Sequence, residues 1–122
     1  MTPMSSLERT QATIAHRIPD RVPVDLHNFL VTVTYGGYRM SEALQNGELL
    51  AEAQLRFWRD FRHDMLLVEN GVGAEAQACG CGVLHTDDGT TRVVAYVLAG
   101  GLDLVDELEV PDPETAFPMC EV

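Results

Sequence analysis

A handful of side chains in this sequence combine reactivity with a setting that suits chemistry. His27 carries an imidazole, a group that can shuttle a proton or bind a metal. Glu69 can act as a base or orient a neighbouring group. Asn28 and Asn70 each carry an amide that both donates and accepts hydrogen bonds, and Gln77 offers the same function a few residues further on. His27-Asn28 and Glu69-Asn70 each adjoin an apolar stretch. Structural roles compete with these. His27 can be a satisfied strand histidine, and Glu69 can sit at the amino end of the helix that follows, where anions are favoured. Arg21 reads as a salt-bridge partner near the start of a strand, not as a catalytic group. His16, His63 and His85 fall in helical, helix-end and hairpin contexts and read as structural.

The cysteines add little chemistry. Cys79, Cys81 and Cys120 cannot all pair, and Cys79-Gly-Cys81 is too tight for an ordinary disulfide. Its spacing is also not that of zinc ribbons or redox motifs. A zinc site would have to recruit Cys120, His85 or His63. Reduced, packed thiols are expected, with no metal site in the chain.

The elements that position these groups follow from the residue pattern. Ser5-x-x-Glu8 is a capping box, so a helix should start near Ser6 and end before Pro19. From Arg21 to Tyr35 the chain is rich in β-branched and aromatic residues with few polar interruptions. That predicts an extended strand buried on both faces, broken at Gly36-Gly37. Ser41 should cap a short helix, and Asn46-Gly47 separates it from a longer one. In the longer helix Leu50, Ala53, Phe57, Trp58 and Phe61 recur at helical spacing, a stripe that reads as core rather than cofactor box. Met65 to Val68 is a continuous apolar run after a helix, which predicts a parallel strand. A short helix from Ala74 to Cys79 should stop at Gly80. Val83 to His85 and Thr91 to Leu98, joined around Asp87-Asp88-Gly89, predict a hairpin. Asp103 should cap one more short helix, reaching Leu108.

Charge and length bound the rest. The chain has 122 residues and a formal charge of −11, with eight basic residues that are all Arg. Arg92 is the lone basic residue after Arg62, so the acidic excess lies in the second half. A solvated acidic face is the simplest reading. Such a charge disfavours nucleic acid. No apolar run has the length of a membrane span, and the N-terminus lacks the apolar core of a secretory signal. A cytoplasmic protein with no membrane association is expected. The order of helices and strands predicts an α/β fold with a parallel sheet. Only two parallel strands are evident, so residues 1–122 read as the N-terminal part of one larger domain.

Several stretches together resemble the uroporphyrinogen decarboxylase family. Pro19-Asp20-Arg21-Val22-Pro23-Val24 is similar to that family's opening strand, and Phe61-x-x-Asp64-Met65-Leu66-Leu67-Val68 to its second barrel strand. Gln77-Ala78-Cys79-Gly80 resembles the turn after that strand. Asp103-Leu104 through Pro111-Asp112-Pro113 resembles the linker before the next helix. The resemblance covers nearly all of the chain but only about the first third of a family member. It implies an incomplete (β/α)8 TIM-type barrel, since a closed one takes about 250 residues. Reacting groups in such barrels stand at the carboxyl ends of strands. That implies His27 and Glu69 as catalytic residues and Asn28, Asn70 and Gln77 as substrate-binding residues.

The resemblance further implies a tetrapyrrole ligand, met by a decarboxylase or by a corrinoid-dependent methyltransferase. The decarboxylase pattern is not matched: its two substrate-gripping Arg positions fall on Asn28 and Thr32, and its Asp position falls on Gly71. The methyltransferase-like branch fits those departures better. Its zinc ligands and its corrinoid contacts would belong to a full-length parent, and no cofactor is expected within this chain. The expected partners are a tetrapyrrole or protein-bound corrinoid and the remainder of the barrel. An unpaired sheet edge could also drive homo-oligomers. The alternative from another class is a small, non-catalytic acidic binding module that folds alone.

Overall fold

The computed structural model describes residues 2–27, 29–68 and 71–121, so Asn28, Glu69 and Asn70 lie outside the described residues. Helix α1 (Ser6–Ile14) starts at the expected capping box. The Ser5 hydroxyl accepts from the Glu8 N–H at 3.3 Å, and the Glu8 carboxylate accepts from the Ser5 N–H at 2.8 Å. Both orphan donors of the first turn thereby find partners. The chain leaves α1 through His16, which takes a left-handed backbone at φ +54°.

Strand β1 (Asp25–Leu26) pairs in parallel with β2 (Met65–Leu66), Asp25 facing Met65 and Leu26 facing Leu66. The expected strand from Arg21 to Tyr35 is therefore much shorter, and its second half is helix α2 (Phe29–Gly36). A continuous apolar run of this length reads equally as a buried helix, and packing decides. Val33 is buried among α3 (Met40–Ala43) and α4 (Gly47–Phe61), in a core built with Met40, Ala43, Leu44, Leu50 and Ala53, and Thr32 beside it is buried as well. The Thr34 hydroxyl donates to the Leu30 carbonyl one turn back, at 3.1 Å, which satisfies a β-branched polar residue inside the helix. Gly37, at φ +79°, ends it as expected.

Ser41 does not cap α3. That helix starts two residues earlier, at Met40 after Arg39, and the Ser41 hydroxyl donates instead to the Asp87 carboxylate. Asp87 also accepts the Met40 N–H on its carbonyl at 3.2 Å, so the tip of the later hairpin is tied to α3. Helix α4 matches the expected periodicity. Asn46 caps it by accepting from the Leu49 N–H at 3.1 Å, and Arg62 closes it in a left-handed conformation. Beyond β2, helix α5 (Ala74–Ala78) ends before Gly80 at φ +93°. Strands β3 (Gly82–Leu84) and β4 (Arg92–Ala95) form the antiparallel hairpin. The expected last helix is a 3₁₀ turn over Leu102–Glu107, preceded by Gly101 without a side-chain cap, so Asp103 does not cap it.

One carboxylate holds the amino ends of both parallel strands. The Asp64 side chain is 0% exposed. It accepts from the Val24 N–H at 2.9 Å, from Arg21 at 2.6 and 3.0 Å, and from the Arg9 guanidinium of α1. The Asp64 N–H in turn donates to the Val24 carbonyl at 2.8 Å. Arg9 also grips Asp20 at 2.6 and 2.9 Å. Arg21 is thus the salt-bridge partner its position suggested. Burial works against the charge on Asp64, but the Val24 N–H and the guanidiniums outweigh it and lower its pKa from 3.8 to about 2. The Arg9 guanidinium likewise holds Asp20 well below the usual carboxylate range.

Asp64→Asn should therefore destabilise the fold by about 3 kcal/mol, because it leaves two guanidiniums without their shared buried anion. Urea unfolding followed by circular dichroism measures this. A carboxylate whose pKa is lower in the folded chain stabilises fully above its unfolded value and loses that contribution as pH falls through the folded value. The wild-type chain should lose stability between about pH 4 and pH 2, and Asp64→Asn should lose less of it over that range.

Candidate functional site

Because β1 and β2 run parallel, their carboxyl ends open on the same side, where His27 follows β1 and the loop to α5 follows β2. In a strand, residues two apart share a face. Asp25 and His27 therefore stand together, with Nδ1 of His27 at 3.5 Å from Oδ2 of Asp25. That separation suits an ion pair when the imidazole is protonated, and it is too long for a strong hydrogen bond. The His27 side chain is 78% exposed, so the pair faces solvent. An imidazole backed by a carboxylate, with its other nitrogen open, can take up or release a proton.

Gln77 belongs to α5, the element that the chain enters after the carboxyl end of β2. Its side-chain carbonyl oxygen is buried and has no hydrogen-bond partner among the described residues. The structure thus pairs His27 with Asp25 and not with Gln77. The positions of the sought Arg residues and Asp are equally informative where described. Thr32 is 2% exposed on the packed side of α2, and Gly71 offers no side chain and sits at φ +95°.

Two residues near these positions are not among the candidates the sequence offers. Asp25 is one, and its i, i+2 spacing to His27 is the signal that could have found it. His63 was read as structural at a helix end. It is buried, yet both its ring nitrogens lack partners among the described residues, and nothing in its sequence neighbourhood announces that. His85 does find a partner, the Thr91 hydroxyl at 3.0 Å from Nδ1. The cysteines are free thiols, and among the described residues no group of three or more His, Cys, Asp or Glu side chains is arranged to hold a metal ion. No helix of the described residues is long and apolar enough to cross a membrane.

The family profile for uroporphyrinogen decarboxylase (URO-D) matches residues 5–121 of the chain. No curated protein and no solved structure matches it significantly.

The exposed position of His27 has a measurable consequence. His27→Ala should change stability by no more than about 0.5 kcal/mol, as expected of a surface substitution. A thermal melt coinciding with that of the wild type is the expected result, and it separates any loss of ligand binding in this variant from loss of fold.

Proposed function

Because the chain belongs to the uroporphyrinogen decarboxylase family, we propose that it forms the first part of a (β/α)8 barrel whose carboxyl end meets a tetrapyrrole, as in a corrinoid-linked methyltransferase rather than a decarboxylase. One observation carries the choice of branch. Thr32, on a position where the decarboxylase pattern has a substrate-gripping Arg, is buried within the chain. Gly71, on the Asp position, has no side chain at all. A polycarboxylate substrate would meet no cation at the first and no pyrrole-facing carboxylate at the second.

The apolar surface around the parallel pair supports the barrel. Parallel strands call for cover on both faces. Yet Leu66 is 38% and Val68 71% exposed. An apolar groove of about 250 Å³ runs between α4 and β2, lined by Leu50, Ala51, Leu55, Leu66 and Val68 among others. A further helix of the outer ring would seat there and shield these side chains.

On this reading Asp25 and His27 are the proton-handling pair, with Asp25 holding the imidazole and His27 presenting its free nitrogen to the ligand. Glu69 would assist as a second base. Asn28, Asn70 and Gln77 would supply polar contacts around the macrocycle. The corrinoid is the carrier of the methyl group and enters as a substrate of this site. Zinc does not fit the described residues, which hold no ligand set for it, so no step is routed through a metal on this chain.

Titration with hydroxocobalamin, followed by its visible absorption, tests the proposal. A saturable spectral shift is expected, weakened about tenfold by His27→Ala, the loss of one charge-assisted hydrogen bond. In parallel, uroporphyrinogen III incubated with the chain should not be converted. Release of coproporphyrinogen, or the absence of any shift with hydroxocobalamin, would refute the methyltransferase-like reading.

A further inference from the structure

A second concavity lies on the other face of β1 from Asp25 and His27, near the amino end of the parallel pair. It has a volume of about 560 Å³ and is lined by Val24, Leu26, Phe57 and Phe61 together with Arg21, Arg62 and His63. That volume falls within the range of small-molecule sites, and so does the combination of apolar walls with a few polar groups. Phe57 and Phe61 stack at 4.2 Å between ring centroids and together supply the aromatic part of the lining.

Two independent features point to a ligand. His63 is only 5% exposed, and both its ring nitrogens are shielded from water without a hydrogen-bond partner among the described residues. A neutral imidazole carries one donor and one acceptor, and leaving both dry and unmet is unfavourable. Arg62 supplies the second feature. Its guanidinium lies 4.5 Å over the Trp58 ring and donates through Nε to the Arg59 carbonyl at 3.0 Å. Among the described residues it has no carboxylate partner, whereas Arg21, across the cleft, is neutralised by Asp64. Among the residues that line this apolar cleft are therefore one arginine without a carboxylate partner among the described residues and one buried imidazole with unmet nitrogens.

We propose that this cleft binds an amphipathic monocarboxylate. Its apolar body would lie against Phe57, Phe61, Val24 and Leu26, with its carboxylate at Arg62, and the His63 ring would turn to bring one of its unmet nitrogens to the ligand. The site uses none of the residues assigned to the tetrapyrrole, so its fate and that of the proposed function are decided separately.

The probe is 1-naphthoate, titrated into the full chain, with 1-naphthalenemethanol as the neutral analogue of the same shape. The single tryptophan, Trp58, reports binding by fluorescence, and the imidazole resonances of the four histidines report where it occurs. Saturable binding of naphthoate should perturb His63 selectively. The alcohol should bind about tenfold more weakly, as expected for loss of a charge-assisted hydrogen bond. Arg62→Gln should erase that preference while leaving the far-ultraviolet circular dichroism unchanged, and His63→Gln should weaken both probes. No saturable binding of naphthoate, equal affinity for the two probes, or binding that leaves the His63 resonances unmoved would each overturn the proposal.

Discussion

The buried carboxylate of Asp64 is the constraint on which the arrangement of the chain depends. It is fully removed from water and shared by guanidiniums from α1 and from the segment leading into β1, while the Val24 N–H binds it directly. A buried anion is unfavourable unless its lone pairs are met, and here the donors come from two parts of the chain, α1 and the approach to β1. Meeting them brings α1, the approach to β1 and the start of β2 to one point. The parallel register of Asp25 with Met65 and of Leu26 with Leu66 follows from that convergence.

The register in turn sorts the side chains. One face of β1 carries Asp25 and His27, polar and open to solvent, at the end where parallel strands present functional groups. The opposite face carries Val24 and Leu26 toward the aromatic residues at the end of α4. The buried ion pairs at the amino end of the strands and the exposed Asp25–His27 pair at the carboxyl end therefore involve different residues. Asp64 can be rigidly committed to structure while His27 stays free.

Helix α2 has a comparable consequence. By coiling directly after β1, it turns Val33 into the core against α3 and α4 and buries Thr32.

Local signals were legible wherever a few neighbouring residues settle the matter. The Ser5–Glu8 capping box, the stripe on α4, the apolar run at β2, the stop at Gly80 and the Asp88-Gly89 hairpin depend on hydrogen bonds or periodicities within one element, and each was readable from the sequence. So was family membership, which rests on the order of such motifs. The stretch from Phe29 to Tyr35 was not, because β-branched residues favour strands only when nothing else packs them, and the burial of Val33 beside α4 reversed that preference. The pairing of Asp25 with His27, the unmet nitrogens of His63 and the uncompensated charge of Arg62 all depend on which distant groups come near. Proximity across the chain is a property of packing, and only the tertiary structure decided it.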